Sequence, residues 1–435
     1  MQVSVEHPST LVRKLTVSLP AEKIESQVSQ RLRELSRNVR LKGFRPGKVP
    51  PKVIEQRFGA QVRNEAVSEV IRETFGEALR QENLRPALPP SIETSGKASG
   101  DEFQYIATFE VMPEIPAIDV STLKVKRPAA SVEEADIDQM IETLRLQRRQ
   151  WKPVEREAKA GDMVLFESHV EVDGQRFPAE GEERSGTVIG SSAVFAEIEA
   201  KLDGLAAEAT ASFEMNFPET HGVAELAGKA GTMHLKVIRV SESVLPALDD
   251  AFIASFGVGE GGIETFRKEV RANLERELQG ALMQRLKADV VRKLLEQHAE
   301  LELPQGLIEA ESQGLIQQAM RQAEQQGRKD AQFDPEGVKA TARQRVAAAV
   351  LLGELARQNQ IRLDRDRVNE MMASIASTYE EPMQVIELYR NDAQLMQGLE
   401  SRVIEDQVID WIADHSDLTV ETLSFAEVMR PGSRG

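Results

Sequence analysis

Leu41-Lys42-Gly43-Phe44-Arg45-Pro46-Gly47-Lys48-Val49-Pro50-Pro51 separates two runs of helical periodicity near the start of the chain. Upstream, Pro20 opens a run to about Arg40 that places Ile24, Val28, Leu32 and Leu35 on one face. Downstream, Pro51 stands where proline is tolerated in a helix's first turn. A second run then reaches about Gln81 through Val53, Ile54, Phe58, Val62, Val67, Val70, Ile71 and Phe75. Residues 2–7 and 11–19 alternate apolar and polar side chains as strands do, and 91–96 (SIETSG) and 102–112 (EFQYIATFEVM) return to that pattern. Strand–helix–loop–helix–strand predicts a small α+β domain over residues 1–116.

Beyond it, residues 131–150 carry helical spacing, and Ser131 with Glu134 fits a capping box. Residues 117–150 are therefore expected to form a linker with a helix. From 151 to 243, short β-like runs (MVLFESHVEV at 163–172, TASFEMNF at 210–217, TMHLKVIRV at 232–240) alternate with turns at Asp173-Gly174 and Asp203-Gly204. They predict a small, mainly β domain. From 244 onward the pattern is helical to the end, over 263–300, 305–327, 337–359, 365–379, 382–390 and 393–414, with breaks at Pro304, Gln326-Gly327, Asp334-Pro335, Leu363-Asp364 and Glu381-Pro382. The fold class expected is α+β and multidomain.

The 435-residue chain has a formal charge of -17, which argues against general affinity for nucleic acid or anionic membrane. Residues 1–60 nevertheless hold twelve Lys/Arg against five acids, a local net of +7 that leaves -24 on the remainder. Such asymmetry suits a partner with an acidic surface met by one end only. No apolar run reaches the roughly 18 residues that span a bilayer, and the start lacks a basic n-region and an apolar h-region. A cytoplasmic protein without a membrane partner is expected. Zero cysteines remove thiol catalysis, disulfides and cysteine-ligated zinc.

Several motifs fail their own requirements. Only three residues separate Gly43 from Gly47, and Val49 stands where a phosphate loop needs Ser or Thr, so no ATP site is expected. Gly257-Val258-Gly259-Glu260-Gly261-Gly262 matches G-x-G-x-x-G, but it follows a helical run at 248–256 outside any βαβ unit. Gly257 is better placed as a helix C-cap. The six histidines show no H-x-x-x-H spacing, so no metal is expected, and no cofactor either. No G-x-S-x-G nucleophile elbow occurs. The loop at 43–50 has two readings: a plain helix–helix connector, or a docking tip in which Phe44 between cations meets an acidic, partly apolar surface. Met283, Met320, Met371, Met372, Met383 and Met396 are likewise either core filler or an adaptable contact surface.

G-F-R-x-G-K-x-P between two helices of an N-terminal α+β domain resembles the ribosome-docking signature of the trigger factor family. Leu248-Asp249-Asp250-Ala251-Phe252 with Phe256-Gly257 is similar to that family's entry to its C-terminal domain. Tyr379 with Pro382, then Tyr389, Glu405 and Trp411, is similar to its closing helices. The resemblance spans nearly the whole chain. It implies an N-terminal ribosome-binding domain (1–116), the linker, an FKBP-like antiparallel β domain (151–243) and a mostly α-helical chaperone domain (244–435). Implied with it is an ATP-independent chaperone docked near the exit tunnel of the large ribosomal subunit. Its clients would be nascent and unfolded polypeptides, held folding- or export-competent. Gly43, Phe44, Arg45, Pro46, Gly47, Lys48 and Pro50 would form the docking site, with Phe44, Arg45 and Lys48 touching a ribosomal protein and adjoining RNA. Whether the free protein forms a weak homodimer, as some relatives do, stays open.

The same resemblance implies an FKBP-type peptidyl-prolyl cis–trans isomerase, with pocket positions at Glu167, Phe177, Phe195, Ile198, Phe217, His221 and Met233. The chain departs from the family there. Phe195-Ala196-Glu197-Ile198-Glu199 replaces Ile-Pro-Gly-Phe-Glu, His221 stands for Tyr, Met233 for Phe, and Ser168 for an aromatic. Weak or absent isomerase activity is expected. The alternative is chiefly a prolyl isomerase whose helical regions present substrate.

Overall fold

The structure, a computed structural model, describes the chain except residues 40, 42, 43, 45–48, 96–101, 220–222, 224, 327–333, 380 and 431–435. The chain divides into two compact units, one from Met1–Ala129 and Leu282–Thr422, the other from Ala130–Ala281 with a piece beginning at Leu423.

In the first unit, β1 (Gln2–Glu6) and β2 (Val12–Pro20) form a hairpin that leads into α1 (Ala21–Asn38). α2 (Pro51–Gln81) and strands β3 (Ser91–Ser95) and β4 (Glu102–Glu110) follow. The sheet runs β1-β2-β4-β3 and is antiparallel throughout. Alternation decides its inner face: Leu15, Val17 and Leu19 of β2 and Phe103, Tyr105, Ala107 and Phe109 of β4 are buried. Ile24 and Val28 of α1, and Val62, Ala66 and Val70 of α2, close over them. Tyr105 buries its ring completely and would cost stability with an unpaired hydroxyl. Thr74 Oγ1 donates to Val70 O at 2.6 Å, so the Tyr105 hydroxyl, 2.9 Å from that oxygen, is the donor to it. β5 (Lys124–Ala129) completes the N-terminal part of this unit.

The second unit starts with α3 (Glu134–Gln147). Its capping box is made by Glu133 and Asp136, not by Ser131 and Glu134 as the spacing suggested. Glu134 instead bonds Arg267 and Arg271. Strands β6 (Gln150–Val154), β7 (Met163–Val172), β8 (Gln175–Phe177) and β9 (Glu183–Val188), helix α4 (Ala196–Leu202), β10 (Thr210–Asn216) and β11 (Ala230–Val244) build one six-stranded sheet. Its path is β10-β11-β7-β8, with β6 on β11 and β9 on β7, all antiparallel. The β7–β8 turn is Asp173-Gly174 at φ 53 and 78, the positive values a two-residue hairpin demands. α5 (Asp250–Ala254) is capped at its start by Asp249; its C-cap is Ser255, not Gly257 as the sequence suggested, and Gly257 follows two residues on at φ 87. α6 (Gly262–Gln297) follows directly, and Phe266 near its start meets the rings of Phe252 and Phe256.

The helical part comprises α7 (Gln305–Gln325), α8 (Pro335–Gln358), α9 (Arg365–Ala376), α10 (Pro382–Asn391) and α11 (Ala393–Asp414). Asp334, Asp364 and Asp392 cap three of them, each accepting two backbone N–H groups. α7 begins at Pro304 without a local cap; Glu110 at the end of β4 accepts the N–H of Gln305 at 2.9 Å and of Gly306 at 2.8 Å. A Cβ at Gly306 would lie 2.8 Å from Leu88 Cδ1 and 3.2 Å from Glu110 Oε2, so a larger residue there would push aside the ends of two side chains. The methionines divide: Met372 is buried, whereas Met320 and Met383 are 57% and 65% exposed.

One expectation is corrected. The chain does not stay helical to its end, because Asp417–Thr422 forms β12, parallel to β5, before the short α12 (Phe425–Met429). Within 117–150, β5 falls in the first unit and α3, the one helix of the segment, in the second. The region from 244 divides as well, α5 and the first part of α6 lying in the second unit. No helix among the described residues is long and apolar enough to cross a membrane.

Candidate functional site

α1 and α2 present the first candidate region at their connection. Arg31 pairs with Glu69 and with Glu65 (3.6 Å), and Arg63 with Glu25, which ties the two helices together. Val49 is buried, Pro50 caps α2 in an extended conformation, and Pro51 begins the helix. Phe44 is 40% exposed. A phenylalanine left in water contributes nothing to a core, so Phe44 is available to a partner. Gly43, Arg45, Pro46, Gly47 and Lys48 lie outside the described residues.

The second region is a cavity of ≈ 1050 Å³ in the six-stranded unit. Strand alternation builds its walls: Phe166 and Ser168 point inward from β7, Met233 from β11, and Phe177 closes β8. Phe195, the N-cap of α4, meets Phe217 edge to face at 6.2 Å, with Ile198 one turn along. Five of the seven expected pocket positions (Phe177, Phe195, Ile198, Phe217, Met233) thus line one cavity. Glu167 is not among them; alternation along β7 turns it to the other face, where its carboxylate accepts from Arg184 at 2.7 Å. His221 lies outside the described residues. Ser168 is 8% exposed and occupies the inward position where an aromatic was expected. The result is a mainly apolar space, with Ser168, Ser185 and Ser192 among its lining.

Two buried carboxylates brace this unit. Burial pulls the Glu199 carboxyl up, but bonds from Gly190 N–H (2.9 Å) and from the Thr187 and Ser191 hydroxyls (3.3 Å each) outweigh it and hold the group below the usual range. Glu199 thereby fixes the loop between β9 and α4. Asp162, 2% exposed, is held low chiefly by the Arg156 guanidinium (Nη2–Oδ1 3.1 Å), against the opposing effect of burial.

On the face of the sheet that carries Glu167, the register sets His169 of β7 opposite His234 of β11. Their rings stack at 4.6 Å and 18°, with Glu171 two residues along on the same face. H-x-x-x-H spacing does not capture this group, because that spacing belongs to a helix. An H-x-E on one strand and a histidine on its neighbour is the corresponding strand signal, and it needs the register to be seen.

Residues 1–144 match the family described as bacterial trigger factor protein, and residues 262–414 match the bacterial trigger factor C-terminus. A trigger factor from Xanthomonas oryzae pv. oryzae (strain PXO99A) is 49% identical over 433 residues, covering 99% of this chain and 100% of that protein. The chain belongs to the trigger factor family. Trigger factor from Xanthomonas axonopodis pv. citri (strain 306) is also 49% identical, and that of Stenotrophomonas maltophilia (strain R551-3) 48%, both over 433 residues with the same coverage. A solved structure described as "Promiscuous Substrate Recognition in Folding and Assembly Activities of the Trigger Factor Chaperone" is 19% identical with a TM-score of 0.43, over 95% of this chain and 99% of that one. That likeness is too loose to carry a point of geometry. Trigger factors are ribosome-associated chaperones whose family in general includes a prolyl-isomerase domain.

Proposed function

We propose that this chain is an ATP-independent holdase of the cytoplasm that docks by its 43–50 loop near the exit tunnel of the large ribosomal subunit. Phe44, Arg45 and Lys48 would touch a ribosomal protein and adjoining RNA. The observation that carries this is exposed Phe44 set between cations at the one basic end, net +7, of a chain of charge -17. An anionic surface attracts that end and repels the rest. Nascent chains would then be held by weak apolar contacts, for which Tyr379, Met383 and Leu388, 58%, 65% and 55% exposed, offer surface in the helical region. Weak contacts release clients without nucleotide hydrolysis and leave them folding- or export-competent. Co-sedimentation with ribosomes tests the docking: Phe44→Ala and Arg45→Glu should remain in the supernatant while their circular dichroism matches wild type. Wild-type pelleting by both variants defeats the proposal.

A second reading is supported by the cavity. Rotation about an Xaa–Pro bond faces roughly 18–20 kcal/mol, and an apolar, water-poor pocket favours the twisted amide over the planar one without any nucleophile. Phe177, Phe195 and Phe217 retain part of such a wall, while Ser168 and Met233 remove aromatic surface from it. The cavity would therefore bind prolyl segments weakly and isomerise them slowly. A protease-coupled peptide assay giving rates equal to an aromatic-walled family member would overturn this.

A further inference from the structure

We propose that His169, Glu171 and His234 form a site for one divalent transition-metal ion of the zinc class, on the β7–β11 face that also carries Glu167, with His169 itself bordering the cavity. Its chemistry is neither ribosome docking nor the twisting of a prolyl bond, and it shares only His169 with the cavity's lining. One ligand atom from each of the three side chains lies within 4.8 Å of the others. Among the described residues no second group of three His, Asp or Glu meets that condition.

The backbone makes the cluster. In an antiparallel pair, directly opposed residues project to the same side, as do residues two apart on one strand. The register opposes His169 to His234 and places Glu171 at i+2. Neighbouring groups then orient the ligands. Glu182 Oε2 lies 2.9 Å from His169 Nδ1. An ionised carboxylate only accepts, so Nδ1 carries the proton, and a neutral ring keeps its lone pair on Nε2. Arg176 holds the same carboxylate from its other oxygen at 2.7 Å, and these partners, His169 first, keep Glu182 below the usual carboxylate range. Ser212, the cross-strand neighbour of His234 on β10, engages that ring's Nδ1 at 2.8 Å and leaves its Nε2 free too. A carboxylate behind a histidine is the arrangement that fixes tautomer and raises basicity in metal sites.

Glu171 supplies the anion. It has no ion-pair partner among the described residues; its cross-strand neighbours are Thr232 on β11 and Arg176 on β8, whose guanidinium is held by Glu182. Ligand atoms about 2.1 Å from a tetrahedral ion sit roughly 3.4 Å apart. The three groups must therefore close by little more than an ångström, through side-chain rotation over a fixed sheet. Two imidazoles and a carboxylate suit zinc, nickel or copper and leave a fourth position to water.

The test uses full-length protein freed of metal by dialysis against a chelator, titrated with zinc sulfate by calorimetry at pH 7.5, with bound zinc counted after gel filtration. One zinc per chain is expected for wild type and for the remote control His298→Ala. His169→Gln and His234→Gln, which keep size and polarity, should lose stoichiometric binding. Glu182→Gln, which touches no metal, should weaken it about 10–100-fold. Full stoichiometry in the His169→Gln/His234→Gln double variant, or no uptake by wild type at a several-fold excess of zinc, overturns the site.

Discussion

Phe44 and Phe195 are exposed to nearly the same degree, 40% and 36%, yet they belong to opposite kinds of surface. Phe44 has Arg45 and Lys48 beside it in sequence, and its whole chemistry lies in eight consecutive residues. Phe195 stands at the rim of a cavity whose walls come from β7, β8, β9, α4, β11 and the loop residues around Phe217, with Ser168 and Met233 where aromatics were expected. A contiguous loop keeps its chemistry through eight positions. A cavity assembled from distant strands loses function by single replacements on any of them, while its scaffold persists. Under the proposed reading, the contrast is how a chain would keep a docking loop while a pocket loses aromatic surface.

The largest expected effect lies at the loop. Phe44→Ala should weaken ribosome binding by about 30-fold, the size of an interface anchor worth roughly 2 kcal/mol, without altering the cavity. Charge reversal at Arg45 should go further, and a salt series should weaken wild type too, since exposed charges are screened beyond about 8 Å at physiological ionic strength. A loop variant that changed peptide isomerisation and not docking would invert the comparison.

Restoring the cavity wall sharpens the other side. Ser168→Phe places an aromatic back at a buried inward position; one added ring contact, about 0.5–1.5 kcal/mol, should raise prolyl-peptide affinity roughly 2–10-fold. Fluorescence titration with a proline-containing peptide measures it, and unchanged affinity in a folded variant would mean the wall is not what limits binding.

Bracing of the β unit should separate from docking. Asp162→Ala removes the buried acceptor of Arg156 and Lys159 N–H and should cost about 1–3 kcal/mol in urea unfolding. The folded-state pKa of Asp162 is depressed, so its contribution is fully present above the unfolded value near 3.9 and is lost as pH falls through the folded value. The mutant-to-wild-type gap should therefore close in strongly acid solution, and ribosome pelleting at pH 7 should not change. Smallest is Glu110→Ala, which uncaps α7 and should cost about 1 kcal/mol, measured as a lowered urea midpoint.

The same contrast governs what was legible in the sequence. Helices α6 to α11 were placed within a few residues because proline, glycine and aspartate mark their ends locally. The parallel pairing of β12 with β5 was missed: Leu418 meets Val125 across nearly the whole chain, and neither six-residue strand is distinctive alone. Ser131 and Glu134 had the spacing of a capping box, but Arg267 and Arg271 of α6 draw Glu134 away, and Glu133 takes the cap. Glu167 was assigned to the pocket by position in a motif. One step of strand alternation puts it on the opposite face, the face where His169 and His234 meet. Local chemistry was readable, and what depended on strand register was not.

Sedimentation of wild type and Arg45→Glu with ribosomes, at low and at high salt, bears most directly on the central claim. Wild type should pellet at low salt and dissociate as salt rises, and the charge-reversed protein should stay in the supernatant at both. Equal pelleting of the two proteins, insensitive to salt, would contradict a cationic, phenylalanine-bearing tip as the anchor.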